Sequence, residues 1–390
     1  MTSKPNEIIS QENKIPNFNL TINGNDDEEN IHRLISLLFP EYQQKYIVLK
    51  VLNKGFSNTL IKVDYNENDC TTPSQLSTSF LICIHGDVTT TLVDRVNGIK
   101  YLKTVKHREG YQQLYGLFNN GSVYSFIDGC DIPVENLCIL KYSRLIAEKM
   151  AELHCLPTDE FDTESDSPEK NMEPRLFSRI LKWIDKLQDD FIISSRKLER
   201  YESIFPSKSY ALNEINTLKK EYIRSPISKV VLCHNDLNAA NIILTPDGNS
   251  VHFIDMEYCD LNYAAFDIGN HFCEFTGPNA MEFDKYPSLD FQKKWIKIYL
   301  AAYRKHSHSN FDFEHKDSEL NIYSEDYLES WLREVNCFAL VSHLFWAIWA
   351  VIFAAENLTS MDYLAYAAAR MKQYHHLKKW IQSTFQLPPL

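Results

Sequence analysis

Residues 229–274 read KVVLCHNDLNAANIILTPDGNSVHFIDMEYCDLNYAAFDIGNHFCE. Two apolar runs, Val230–Cys233 and Ile242–Leu244, enclose His234-Asn235-Asp236, and Asn241 follows Asp236 by five positions. This is strand–loop–strand spacing with the polar side chains in the loop. A third apolar run, Val251–Ile254, ends in Asp255, and Pro246-Asp247-Gly248-Asn249 between the runs has the chemistry of a reversing turn. The spacing predicts one hairpin that carries Asp236, Asn241 and Asp255 to the same end.

Kinase-like phosphotransferases need such a set. One Asp accepts the proton of the attacking hydroxyl, while an Asn and a second Asp hold the Mg²⁺ that bridges nucleotide phosphates. Oxygen ligands suit a hard, octahedral cation. A surface hairpin whose Asp and Asn side chains only cap turns is the competing reading. The ordered set between buried-type strands favours chemistry.

Working outward, the 390-residue chain is long enough for two lobes, and 44% apolar with 13% aromatic residues supplies a sizeable core. A net charge of −12 argues against a nucleic-acid surface or an anionic membrane partner. Nine cysteines without CxxC pairs and no secretory signal point to reduced thiols and a cytoplasmic location. Residues 1–30, with Asn23–Asn30 reading NGNDDEEN, are expected to form a disordered or loosely held arm. Apolar spacing then predicts a helix over 31–39.

Residues 46–65 read as two strands joined by Asn53-Lys54-Gly55-Phe56-Ser57-Asn58, a glycine turn able to lay backbone N–H groups on phosphate. Strands follow at Phe80–Ile84 and Thr90–Val93, then a helix around Tyr101–Val105 and a hairpin turning at Asn119-Asn120-Gly121. From about Leu137 the period becomes helical, as in Ile139, Tyr142, Ile146, Met150 and Leu153, or Phe291, Trp295, Ile298 and Ala302. The expected class is α+β, with a small β-rich N-lobe over 31–127 and a larger, mainly helical C-lobe over 128–390. Residues 337–355 approach membrane-spanning length, but Ser342 and His343 sit mid-run and no basic cluster flanks it, so a buried core helix is expected and no integral membrane segment.

With residues 254–274 in view, the chain resembles the choline/ethanolamine kinase family, and within it the ethanolamine kinases. The matching positions are Asp255, Glu257, Asn262, Asp267, Asn270 and Glu274, together with CHND at 233–236, Asn241, the Asn-Asn-Gly turn, SHLFWAIW at 342–349 and the stretch 361–370. The resemblance implies a protein-kinase-like two-lobe fold and the use of ATP and Mg²⁺ to convert ethanolamine into phosphoethanolamine, the first step of the CDP-ethanolamine route to phosphatidylethanolamine. It implies Asp236 as catalytic base, Asn241 and Asp255 as metal ligands, and Gly55, Phe56, Ser57 and Asn58 at the phosphates. Backbone groups of Ser125, Phe126 and Ile127 would meet adenine, and Asp267 would hold the catalytic loop. Asp255, Glu257, Glu274, Trp346, Trp349 and Tyr366 would surround the amino alcohol, whose ammonium needs carboxylates or aromatic faces. A homodimer is compatible with this reading.

Phe275-Thr276-Gly277 after HFCE, and Leu237 after CHND, look more like ethanolamine than choline kinases, which leaves choline or dual use as the alternative. Two departures touch the phosphate-holding half. Ile82-Cys83-Ile84-His85-Gly86 stands where relatives carry a basic residue at the Cys83 position, and no carboxylate stands at Asn97-Gly98, where its partner acid is expected. Lys54 or Lys62 would have to compensate. Otherwise the chain is a non-catalytic relative that binds nucleotide or a partner. A protein kinase is disfavoured, since Asp255-Met256-Glu257 replaces DFG and no APE segment follows.

Overall fold

The computed structural model describes residues 15–54, 58–66, 79–86, 95–161, 173–187, 195–204, 207–277, 282–308, 324–356 and 361–388. The chain divides into two compact units, one of residues 1–91 and 105–127, the other of 92–104 and 128–390. The expected strand Thr90–Val93 and the loop residues Gly55, Phe56 and Ser57 lie outside the described residues.

The first unit comprises β1 (Asn17–Phe18), α1 (Glu28–Leu38), β2 (Ile47–Lys54), β3 (Asn58–Tyr65), β4 (Ser79–His85), β5 (Leu114–Phe118) and β6 (Gly121–Ser125). They form one six-stranded sheet of order β1-β5-β6-β4-β3-β2, antiparallel except for β1 beside β5. Ile61, Val63, Phe80 and Ile82 on the inner face pack against Ile31, Leu34 and Ile35 of α1, all at most 1% exposed. The residues before α1 are not a loose arm from Ile15 onward. Leu20 and Ile22 enter this core, and Asn120 fixes them by accepting from the Ile22 N–H at 3.0 Å and donating to its carbonyl at 2.8 Å. The alternation of Phe18, Leu20 and Ile22 is a strand-like signal that the polar composition around it masked. Asp27 caps α1 by accepting from the Asn30 N–H. Gly121 turns the β5–β6 hairpin where a Cβ would lie 2.2 Å from the Cys83 carbonyl, so no larger residue fits.

The second unit comprises α2 (Arg95–Thr104), β7 (Cys130–Asp131), α3 (Leu140–His154), α4 (Leu176–Lys186), α5 (Ser195–Ile204), α6 (Lys208–Thr217), β8 (Val230–Cys233), β9 (Ile242–Leu244), β10 (Val251–Phe253) and β11 (Asp260–Tyr263). It ends in α7 (Ala264–Glu274), α8 (Leu289–His308), α9 (Glu325–Glu356) and α10 (Tyr363–Phe385). Residues 92–104, assigned to the first lobe from sequence, group with this unit because α2 packs on the turn after Asp255. A Cβ on Gly98 would sit 3.3 Å from the Met256 carbonyl. The hairpin expectation needs one correction: β9 pairs with β10 and β7, whereas β8 pairs with β11. Asp236 therefore follows one small sheet, and Asn241 and Asp255 flank the strands of another.

Helix α9 matches a membrane span by length and composition, but 94% of its apolar window is buried. It packs as the central helix of this unit, crossing α7 at Gly269, whose added Cβ would meet the Val335 carbonyl at 2.5 Å. Gly269→Ala is expected to lower stability by about 1–3 kcal/mol through this overpacking, read as a drop in the urea or thermal unfolding midpoint. Ile146, Met150 and Leu153 of α3 are buried as their spacing predicts, whereas Ile139 precedes the helix and is 44% exposed.

Candidate active site

The loop after β8 is held from below by Asp267, in the first turn of α7. This fully buried carboxylate accepts from the backbone N–H of His234 and of Asn235, each at 2.8 Å, and His154 Nε2 lies 3.1 Å from it. Those donors hold its carboxyl below the ordinary value against the opposing effect of burial, which is the largest single influence. Asn235 adopts a left-handed conformation at φ 66°, stabilised by its side-chain bonds to the Tyr258 carbonyl and from Asn262. The backbone so bent presents Asp236.

His154, Cys233 and Asp267 place potential ligand atoms within 4.8 Å of one another. They do not fit a metal. Both Asp267 oxygens already accept hydrogen bonds, and burial pushes the Cys233 thiol far above its usual range, keeping it protonated.

Asp236 and the strand bearing Asp255 are braced by His234. Its Nδ1 accepts from the Asp236 N–H at 3.3 Å and its Nε2 donates to the Ile254 carbonyl at 2.9 Å. Asn241 completes the link: its amide Nδ2 donates to the Asp236 carbonyl at 2.8 Å and lies 3.3 Å from Asp236 Oδ2, while its backbone carbonyl accepts from the Ile254 N–H. With the amide nitrogen turned to Asp236, Asn241 Oδ1 is the atom left for a cation. Asp255 is left-handed at φ 60°, and although part of its surface is open, desolvation by the surrounding protein pushes its carboxyl up to about 6. An amide oxygen and a carboxylate, with no sulfur or imidazole, form a donor set that fits Mg²⁺.

The Asp236 carboxyl is raised well above its usual range, first by desolvation, then by Glu274 and Asp255, and more weakly by Glu257. The structure thus brings Asp236, Asn241, Asp255, Glu257 and Glu274 into one electrostatic neighbourhood. A divalent cation and an ammonium would both relieve it.

Beside these acids stand Trp346 and Trp349 of α9 and Tyr366 of α10, joined by Tyr258, which sequence reasoning missed. Tyr258 lies 5.2 Å from Trp346, Trp346 lies 5.5 Å from Trp349, and Trp349 lies 6.5 Å from Tyr366, centroid to centroid. Trp346 Nε1 donates to Asn270 Oδ1 at 2.8 Å and Trp349 Nε1 to the Tyr258 hydroxyl at 2.7 Å. Both indole N–H groups are consumed within the protein, so what each ring offers a ligand is its π face. Trp346 is 5% exposed and offers little of it. Glu274, expected beside the amino alcohol, is ion-paired to Arg370 at 2.6 Å. Arg370 was visible only as the last residue of an alanine-rich stretch. Its meaning depends on Glu274, ninety-six positions away.

In the first unit, the residues expected at the nucleotide divide. Asn58 opens β3 opposite His85. Ser125 is not available to adenine through its peptide groups: its N–H donates to the Gln113 carbonyl at 2.8 Å and its carbonyl accepts from Gln112 Nε2 at 3.2 Å. Phe126 and Ile127, just beyond β6, are the positions left. Cys83 is buried on β4 opposite Leu60, and Lys62, on the same sheet face but opposite Leu81, is engaged by Asp64 at 2.9 Å and by the Phe126 ring at 4.3 Å. Lys62 is thus held towards Phe126, displaced by two residues from the position that Cys83 occupies.

The sequence profile of the Choline/ethanolamine kinase family matches residues 49–375. Ethanolamine kinase 1 of Mus musculus is 32% identical over 368 residues, covering 94% of this chain and 94% of that protein. Among solved structures, an ethanolamine kinase of Plasmodium vivax aligns with a TM-score of 0.70 at 23% identity, over 90% of this chain and 89% of its own. A choline kinase of Cryptosporidium parvum aligns at 0.69 and 23% identity, over 93% of this chain and 98% of its own. These two show that the fold is shared.

Proposed function

The chain belongs to the choline/ethanolamine kinase family, and from that premise we propose that it transfers a phosphoryl group from ATP to the hydroxyl of ethanolamine, giving phosphoethanolamine and ADP. The observation that carries this reading is that Asp236 is touched by Asn241, polarised by Asp255 and Glu274, and in electrostatic reach of Tyr258 and Tyr366.

Asp236 accepts the proton of the attacking hydroxyl. Its carboxyl is raised first by desolvation and then by the neighbouring acids, and it falls towards a useful range once cations enter. Asn241 Oδ1 and the Asp255 carboxylate would hold Mg²⁺, which when bound neutralises phosphate charge and aligns the transferred group. Asn241 Nδ2, at 3.3 Å, keeps Asp236 Oδ2 oriented towards the acceptor alcohol. The ammonium end rests against Glu274 and the ring faces of Trp349, Tyr258 and Tyr366, as a cation–π site requires. Glu257 adds negative potential at Asp236.

Trp349→Ala is expected to raise the KM for the amine by about tenfold or more and the KM for ATP by less than about twofold, since its role is to face the cation. Equal effects on the two constants, measured in one coupled assay, would make it a packing residue. The reading itself is tested by incubating the full chain with Mg-ATP and ethanolamine and following the product by phosphorus NMR. A phosphoethanolamine resonance supports it, and ATP left unchanged, or hydrolysed without that product, overturns it.

A further inference from the structure

The backbone that presents Asp236 is held by Asp267 and His234, but a carboxylate on a fixed backbone still turns about its Cβ–Cγ bond, a torsion with a broad, two-fold preference. Its plane has to be set by other groups. Of the two carboxylate oxygens, Asn241 Nδ2 meets Oδ2, at 3.3 Å. The other is met by Asn238, whose Nδ2 lies 3.3 Å from Oδ1 and 3.5 Å from the Asp236 carbonyl. The orientation of that second amide follows from its surroundings. The Ala240 N–H can only donate, so the side-chain atom it meets at 3.0 Å is Asn238 Oδ1, and the amide nitrogen is turned to Asp236.

Resting on the phosphoryl-transfer reading above, we propose that Asn238 is a positioning residue that fixes the plane of the Asp236 carboxylate, anchoring Oδ1 so that Oδ2 is the oxygen that takes the hydroxyl proton. Two amide donors, one on each oxygen, leave the group a single orientation, and a base held on line with the acceptor O–H raises the rate of the chemical step. In that step the proton leaves the ethanolamine hydroxyl for Oδ2, the alcohol oxygen bonds to the γ-phosphorus, and the bond to the β,γ-bridging oxygen breaks to release ADP. Asn238 gives up no proton in it.

Asn238 also has a structural part. It caps the short 3₁₀ turn Ala239–Asn241, and its carbonyl accepts from the Asn241 N–H at 3.1 Å. The two parts use opposite ends of one amide: the oxygen serves the turn and the nitrogen serves Asp236. Serine caps a turn about as well as asparagine, but it has no amide nitrogen to reach the carboxylate. The parts can therefore be separated.

The test is the steady-state kinetics of the full chain carrying Asn238→Ser or Asn238→Leu. Asn238→Ser is expected to lower kcat with ethanolamine about tenfold, the worth of one hydrogen bond to a charged group, while the KM values for ethanolamine and ATP and the unfolding midpoint stay near wild type. Asn238→Leu is expected to lose about the same tenfold in kcat and, with the turn uncapped, to unfold earlier as well. A kcat of Asn238→Ser within about twofold of wild type overturns the proposal and leaves Asn238 as a cap alone. A double-variant cycle supplies the second check. With Asp236→Asn already in place there is no base left to orient, so adding Asn238→Ser is expected to cost less than about twofold more. A further loss of about tenfold in that background would mean that Asn238 acts by a route other than Asp236, contrary to the proposal. A wild-type chain that makes no phosphoethanolamine would refute the assigned activity, and this inference with it. Transfer by the wild type with either contrary result refutes the inference alone.

Discussion

Asp236→Asn is expected to lower kcat with ethanolamine by about a thousandfold, with the apparent affinity for ATP changed less than about threefold. Asparagine is nearly isosteric, its one amide oxygen can accept from Asn241 or from Asn238 though not from both, and the bonds by which Asp267 holds the loop at His234 and Asn235 are untouched. What is lost is the ability to take a proton. The variant also removes a buried carboxyl that desolvation, and then Glu274 and Asp255, raise well above its usual range, so its folded state is expected to be no less stable than wild type. A large loss of activity with an undiminished unfolding midpoint separates chemistry from structure at this residue.

Asp255 should show the second large effect, and through the metal. Asp255→Ala is expected to weaken the apparent Mg²⁺ affinity by about a hundredfold or more, while chelation of divalent cations should abolish turnover by the unaltered chain. The direction of the pH dependence follows from the raised carboxyl. Its folded value of about 6 lies above the ordinary carboxylate range, so as pH falls through about 6 the group binds a proton and ceases to be a ligand. Apparent Mg²⁺ affinity, titrated between pH 8 and pH 5, should therefore be steady at the upper end and weaken below about 6. A flat profile would mean that Asp255 is not a ligand.

Much of the site was legible because its chemistry is local in sequence. Asp236 and Asn241 share one loop, Asp255 ends a strand a short turn away, and the apolar runs on either side could only be strands. Tyr258 escaped notice although it lies three residues beyond Asp255, because an aromatic residue after an acidic turn reads as packing until Trp349 is seen to donate to it. The Arg370–Glu274 pair escaped for a different reason: nothing local in either segment announces a partner on another helix. The same non-locality hid the pairing of β8 with β11, and the insertion of Leu20 and Ile22 beneath the first sheet. Ser125 shows the converse. The resemblance implied that its peptide groups would meet adenine, but Gln112 and Gln113 take them.

The phosphate-holding side keeps its departure from the family pattern. Cys83 is a buried thiol on β4, and Gly98 is the contact by which α2 seats on the turn carrying Glu257. A side chain at position 98 would bring its Cβ to 3.3 Å from the Met256 carbonyl, so an acid placed there requires α2 or that turn to give by a few tenths of an ångström.

The central claim, that this site moves a phosphoryl group onto an amino alcohol with Asp236 as base, is tested most directly by amine-dependent ADP release. Initial rates are measured with Mg-ATP and ethanolamine or choline at matched concentrations, for the wild-type chain and Asp236→Asn in parallel. The account predicts ADP release that requires the amine, is faster with ethanolamine than with choline, and drops about a thousandfold in the variant. ADP release indifferent to the amine, or equal in the two proteins, would contradict it.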